Sequence, residues 1–302
     1  MSQTTLLTIH RWITLCFAIP LAVLIATGLI LSVEPVVTGV GGTPVTAETM
    51  SAVLAKHDPD NQARSLIVRA YAGTVSIGGA QRGAQTHVDL ATNDVIASPG
   101  WLADMFATSR RLHETLLLDL RWLVTAATVA LVALVILGVL MGWPRLRHSL
   151  AGWHKGTGWF VLPLLILSPL TGLCLAFGIT FAAAPPRPAA SGGEPIALAE
   201  AVRIVGASHD LGRVAWIRPM GGGLRVRLDA DGEMRVFAVS RDGMTPTARN
   251  WPRLLHEGNW RGGFSAFLNV VTSVAFITLL STGLLIWARR KLRRRPVRSR
   301  AA

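Results

Sequence analysis

Cysteine is almost missing from this sequence. Two occur in 302 residues, Cys16 and Cys174, both inside apolar runs and in no metal-type spacing. They imply no disulfide framework, and an iron–sulfur cluster held by thiolates has no ligand set. Charge is scarce as well. Only 16% of residues are charged against 51% hydrophobic, which is too apolar for an ordinary soluble domain. A dinucleotide fingerprint is absent: Gly221-Gly222-Gly223 lies between strand-like stretches with no helix behind it. No Ser/His/Asp set, paired carboxylates or phosphate loop stands out, so the chain shows no nicotinamide, flavin or hydrolytic site of its own.

What is present is long and apolar. Four stretches carry no charge: 12–33, 122–144, 156–186 and 262–288. Each exceeds the roughly 20 residues needed to cross a bilayer core. The first is longer than a signal-peptide core, and Glu34-Pro35 is a poor cleavage context, so it reads as a retained anchor. The net charge is +13, yet nucleic acid is not the implied partner. Eight of the basic residues form the tail Arg289, Arg290, Lys291, Arg293, Arg294, Arg295, Arg298 and Arg300, and Arg145, Arg147 and Lys155 flank the link between the second and third runs. Basic flanks of this kind mark the cytoplasmic side. They predict a multi-pass protein of a bacterial inner membrane with both termini cytoplasmic and a tail able to meet anionic lipid.

The expected architecture is a membrane all-α four-helix bundle with two small α+β periplasmic insertions. Its segments are a first helix over 9–34, an insertion over 35–111, a second helix over 112–143, a cytoplasmic link over 144–153, a third helix over 154–182, an insertion over 183–255, a fourth helix over 256–288 and the basic tail 289–302. Each insertion opens with a helix-like stretch, 47–57 and 197–209. Strand-like stretches follow at 66–71, 74–77, 86–91 and 95–97 in the first, and at 213–217, 224–229 and 234–240 in the second. Turn chemistry at Asn93-Asp94, Asp231-Gly232 and Asp242-Gly243 separates them, and the linkers 39–44 and 185–195 are rich in Gly and Pro.

An internal repeat organises the chain. His10 to Thr27 and His154 to Thr171 are both 17 residues apart, each Thr followed by Gly-Leu. Leu112-His113-Glu114, with Gly138 and Trp143 after it, matches Leu255-His256-Glu257, with Gly283 and Trp287. The offset is 144 residues for the first His pair and 143 for the second. The unit is helix, insertion, helix, made twice in parallel.

Four of the eight histidines, His10, His113, His154 and His256, stand at the amino-terminal ends of the four apolar runs. Topology pairs His10 with His154 at one face and His113 with His256 at the other. Ionisable residues at membrane helices are usually functional and paired. Two histidines are too few for zinc or a non-haem iron triad. Haem brings four nitrogens itself, so two axial imidazoles complete its iron. At about 100° per residue, Gly28 returns to the face of His10 and Gly172 to that of His154, leaving room for a porphyrin, whereas Gly283 does not share the face of His256. Arg11, Arg145, Arg147 and Lys155 on one side, and Arg110, Arg111, Arg253 and Arg261 on the other, could meet propionates. His57, His87, His148 and His209 read as surface residues.

His10-Arg11-Trp12, Thr27-Gly28-Leu29 and Leu112-His113-Glu114, with the whole repeated, resemble the PepSY-associated transmembrane family, which includes iron-regulated membrane proteins and inner-membrane ferric-siderophore reductases. Val88-Asp89 with Asn93 to Ile96, and Arg227-Leu228-Asp229 with Gly232 to Met234, look like PepSY strands. The resemblance implies two b-type haems on His10, His154, His113 and His256, electron transfer across the membrane, a ferric siderophore as acceptor, and a separate donor such as quinol or a cytoplasmic reductase. Two other readings stay open: a PepSY membrane anchor, inhibitor or sensor without enzymatic activity, and an electron-transfer subunit for another periplasmic acceptor.

Overall fold

The computed structural model describes residues 2–39, 41–79, 85–117, 119–143, 147–182 and 196–293. The 185–195 linker, Arg145 and the tail from 294 onward lie outside the described residues. The chain divides into two compact units. A helical unit takes Met1–Ser32, Ser109–Gly178 and Leu268–Ala302, and a sheet unit takes Val33–Thr108 and Ile179–Phe267.

The helices are α1 (Gln3–Cys16), α2 (Ala18–Gly39), α3 (Ala47–His57), α4 (Trp101–Thr115), α5 (Arg121–Leu140), α6 (Leu150–Phe160), α7 (Leu162–Ala176), α8 (Leu198–Gly206), α9 (Trp251–Glu257) and α10 (Gly262–Arg293). Leu21, Leu24 and Ile25 of α2, Ala127 and Leu134 of α5, Leu165 of α7, and Ala275 and Phe276 of α10 form the core of the helical unit. Much of the remaining apolar surface is bare. Ile19 is 79% exposed and Phe160 89%. Only 22% of the apolar window of α5 is buried. Such surface suits lipid and not water.

The expected four-helix bundle is not what forms. Among the described residues, three helices are long and apolar enough to cross a membrane, within α2, α5 and α10. The third apolar run is instead the pair α6 and α7, bent by 67°. Proline accounts for the break. Pro163 opens α7 without an N–H to continue the ladder from α6. The first run is interrupted in the same way at Phe17, three residues before Pro20. Phe17 and Val161, where the two breaks fall, are 144 residues apart, the same offset as His10 and His154. Helices α5 and α10 contain no proline and are unbroken, while Pro35 and Pro169 are accommodated inside α2 and α7.

The two insertions do not make two small domains either. Strands β1 (Ser65–Arg69), β2 (Thr74–Gly78), β3 (Gln85–Asp89), β4 (Val95–Ile96), β5 (Val214–Met220), β6 (Gly223–Ala230), β7 (Glu233–Ser240) and β8 (Gly243–Pro246) form one sheet of order β4-β3-β2-β1-β5-β6-β7-β8. It is antiparallel throughout. The seam is the pairing of β1 with β5, with Leu66 opposite Ile217 and Ile67 opposite Trp216. One face of the sheet presents Leu66, Val68, Val75, Ile77, Val88, Ile217, Val226 and Leu228. It packs on Met50, Val53 and Leu54 of α3 and Ala201, Val202 and Val205 of α8 in a single core drawn from both insertions. Joining the halves merges their apolar faces into one core and removes an exposed edge from each.

Alternation sends Arg69, Ser76, His87, Trp216, Arg218, Arg225 and Arg227 to the opposite face. There Arg69 donates to Ser76 Oγ at 2.6 Å, and Ser76 Oγ lies 2.7 Å from His87 Nδ1. Burial first, and then the charge of Arg69, pushes the His87 pKa below its ordinary value, with Asp104 opposing. The unfolded chain therefore binds a proton here before the folded one does. Stability is full above the unfolded pKa of about 6.5 and falls as pH drops below it. Unfolding of the full chain in detergent, followed between about pH 5 and 8, should show this loss on the acid side. His87→Gln should flatten the slope, and an unchanged slope would remove His87 as its source.

Candidate functional site

His10 and His154 sit in α1 and α6, the first helix of each repeat. Each helix starts from a serine cap: Ser2 Oγ accepts from Thr5 N–H and Ser149 Oγ from Gly152 N–H. Each ends at the proline-associated break described above. The structure brings the two half-buried imidazoles together, with ring centroids 6.2 Å apart and planes at 89°.

Each of two other contacts has a histidine standing on a Thr-Gly step of another helix. His154 Nδ1 is 2.9 Å from Thr282 Oγ1, and His113 Nδ1 is 3.1 Å from Thr27 Oγ1. The direction of these bonds can be deduced. A threonine hydroxyl has one proton, and both hydroxyls donate it to their own helix, Thr282 to the Thr278 carbonyl and Thr27 to the Val23 carbonyl. With that assignment each hydroxyl accepts from the imidazole and Nδ1 carries the ring proton. Nε2 keeps its lone pair, as a metal-ligating histidine requires. The adjacent glycines admit the rings. A Cβ on Gly28 would lie 3.4 Å from His113 Cε1, and one on Gly283 would lie 3.5 Å from His154 Cε1.

These glycines serve differently from expectation. The placement of Gly28 on the face of His10 assumed one continuous helix, whereas α1 ends at Cys16 and α2 begins at Ala18. Gly283 shares no face with His256 in the sequence reading, yet it seats His154. A Cβ on Gly138 would meet nothing within 4 Å. The sequence position matching Thr282 in the first repeat is Leu137, which has no hydroxyl. His10 Nδ1 correspondingly is buried without a partner. Thr-Gly at 27–28 and 171–172 belongs to the repeat already read, and the missed signal was its third occurrence at 282–283.

His113 belongs to the helical unit, near the end of α4, and His256 to the sheet unit, in α9. Asn250 Oδ1 caps α9 by accepting from Arg253 N–H at 3.0 Å, and Gly258 ends it in the left-handed region. Arg11 lies 5.9 Å from the Trp12 ring, Arg261 lies 5.9 Å from Phe264, and Arg253 pairs with Glu257 at 2.9 Å. His57 bonds to Asn93, and His209 lies 2.9 Å from Ser208 Oγ.

Among the described residues no three His, Cys, Asp or Glu gather as a metal site. The closest pair of imidazoles described is that of His10 and His154. With metal–nitrogen bonds of about 2.0–2.1 Å and each ligating nitrogen about 1.1 Å from its ring centroid, a metal held between two imidazoles sets the centroids roughly 6.2–6.4 Å apart. The observed 6.2 Å fits that span. Two imidazoles could supply two nitrogen donors, a number that suits a metal whose other ligands come from a macrocycle.

Apolar helices carrying close-set imidazoles, together with a sheet unit made jointly by two insertions, define a membrane protein built on a duplicated helix–insertion–helix plan. The chain belongs to the PepSY-associated TM region family, which matches residues 7–290. A comparison with curated proteins finds no match.

The glycine seats make a graded test. A methyl at Gly283 reaches ordinary contact with the His154 ring, while a larger side chain must displace it. Gly283→Ala should leave thermal stability unchanged or raise it, since alanine favours a helix by about 1 kcal/mol over glycine. Gly283→Leu should lower the unfolding temperature. Equal tolerance of both would show that the ring does not rest there.

Proposed function

We propose that the protein is a dihaem b-type oxidoreductase of the bacterial inner membrane, passing electrons outward to reduce a periplasmic ferric siderophore so that its iron is released. The 6.2 Å separation of the His10 and His154 rings carries this reading. The Thr282 hydroxyl supports it by leaving His154 Nε2 with its lone pair. His10 and His154 would hold one haem. The repeat assigns His113 and His256 to the second. Bound haem supplies a one-electron carrier, and the chain's residues hold, orient and desolvate it.

The chemistry balances as single-electron steps. A quinol releases two electrons and two protons and so serves two ferric ions in turn, and a cytoplasmic reductase is the other class of donor. Iron(III) is hard and held tightly by hard oxygen donors. Iron(II) is softer and held less well, so one electron per chelate loosens the metal. Basic flanks put the termini and the 144–153 link in the cytoplasm, with the sheet unit periplasmic.

Orientation is checked by single cysteines in a Cys16→Ala/Cys174→Ala background. A membrane-impermeant thiol reagent applied to intact spheroplasts should label Asp242→Cys and miss Ser149→Cys, and the reverse pattern overturns the orientation. Function is checked on purified protein, whose reduced spectrum should show sharp Soret and α bands. His10→Ala or His154→Ala should each remove one haem equivalent. Thr282→Val should weaken haem retention by about 10- to 100-fold, the usual penalty for losing a partner of a ligating histidine. Haem reduced with dithionite and freed of excess reductant should reoxidise when ferric siderophore is added, with iron(II) captured by a chromogenic chelator. A colourless wild type would turn the reading towards a PepSY anchor or sensor. Reduced haem that ignores every ferric chelate would turn it towards another acceptor.

A further inference from the structure

The second face of the sheet carries an imbalance of charge. Arg218 of β5 stands directly opposite Arg225 of β6, and Trp216 directly opposite Arg227. Like charges placed opposite one another across a strand pair destabilise a sheet. The remedy is visible nearby: Glu233 pairs with Arg249 and Arg235, and Glu200 with Arg241. Beside Arg218 and Arg225 it is missing. Glu257 is engaged by Arg227 and by Arg253. Among the described residues, no carboxylate lies within 4.0 Å of Arg218 or Arg225. Arg225 instead donates Nε–H to the Met220 carbonyl at 3.1 Å, and Arg218 stacks on Trp216, its guanidinium 4.1 Å from the ring centroid. Burial, and then the charges of Arg253 and Arg227, lower the Arg218 pKa from its usual value. Four guanidiniums thus share one carboxylate. Stacking and the backbone bond hold two of them in fixed orientations, and a stacked or anchored guanidinium is pre-organised for bidentate recognition of carboxylates.

We propose that Arg218 and Arg225, backed by Arg227 and Arg253, form a docking site for a small polyanionic ferric chelate whose iron is held by carboxylate-type oxygens. The identity of the anion rests on the ferric-chelate reading above, whereas the site rests on geometry alone. Its place is suited to that role. Arg253 and His256 share the short helix α9, one turn apart, so an anion engaging Arg253 is brought towards the histidine assigned to the second haem. A net negative chelate is selected over a neutral or cationic one, because each Arg–carboxylate contact is charge-assisted and no acidic side chain competes at Arg218 and Arg225.

The test separates the site from the reductase reading by measuring binding to oxidised protein. Full-length protein in phosphatidylcholine nanodiscs is titrated with ferric citrate, an anionic polycarboxylate chelate, and with ferric desferrioxamine B, a cationic hydroxamate chelate. Trp fluorescence and calorimetry are the readouts. Ferric citrate should bind more tightly, with affinity falling as salt is raised. Arg218→Gln combined with Arg225→Gln should weaken it by about tenfold or more while leaving haem content unchanged. Arg218→Lys should restore little, since it keeps the charge without the planar fork. Equal binding of the two chelates, or no effect of the double variant, overturns the site even if haem reoxidation proceeds. Binding that vanishes when phosphatidylglycerol is included would identify lipid headgroups as the occupant and overturn it too. Arg-dependent citrate binding by a protein that fails to reduce the bound iron would keep the site and sink the reductase reading.

Discussion

The pairing of β1 with β5 is the contact on which the sheet unit depends. Each insertion contributes four strands and one core-packing helix, and each four-stranded half has an inner edge to cover. Leu66 opposite Ile217 closes the two inner edges against each other and merges two half-cores under α3 and α8. With the core on one face, the pleat forces every alternate residue to the other. That is how Arg69, His87, Trp216, Arg218, Arg225 and Arg227 come to share a surface. The polar face is thus a consequence of the apolar one, and its chemistry is fixed by register: a slip of one residue at the seam would exchange the two sets.

A parallel economy governs the helical unit. Proline at 20 and at 163 breaks the entering helix of each repeat at matching places, so each histidine rides on a short, serine-capped segment separate from the longer apolar helix behind it. In lipid a broken helix must find partners for the backbone it frees. Phe17 and Val161 answer by donating their N–H groups to carbonyls of the preceding turn. The receiving helix supplies Thr-Gly. One residue fixes the imidazole tautomer and the next makes room for its ring. Duplication has kept this device unevenly, for Leu137 stands where the second repeat has Thr282, and His10 alone has an orphaned Nδ1. The two imidazoles that meet are therefore chemically unequal. His154 has a polarising acceptor behind it and His10 has none.

Much of this was legible in the sequence where the signal is local. The helix Ala47–His57 falls where the pattern put it, and seven of the eight strands lie within a few residues of their expected places. The strand β8 was hidden because Met244 and Pro246 read as loop. Duplication was legible through the matched histidines, and it brought His10 to His154 as the repeat implied. Two things were not legible. Uncharged length says that a run is apolar and nothing about whether it is straight, so Pro163 was read as lying inside a span when it divides one. The seam joins strands some 150 residues apart (Leu66 and Ile217), and edge strands carry no sequence mark of the partner that will cover them.

The charge balance shows how far such reading reaches. A net +13 suggests a basic surface everywhere, but the excess is concentrated. The tail and the link between repeats account for much of it. Acids of the sheet unit pair five of its arginines, as Glu233 does for Arg235 and Arg249. A local surplus at Arg218 and Arg225 is therefore a matter of placement and not of composition. It costs the folded sheet something through repulsion between opposite strands. Strain of this kind persists when the surrounding structure over-determines it, and here the Trp216 stack, the Met220 carbonyl and the Glu257 bridge all do so. Because α9 carries both Arg253 and His256 between an asparagine cap and a left-handed glycine, the charge and the imidazole are held in one rigid turn. Relative motion of the two would require uncapping that helix.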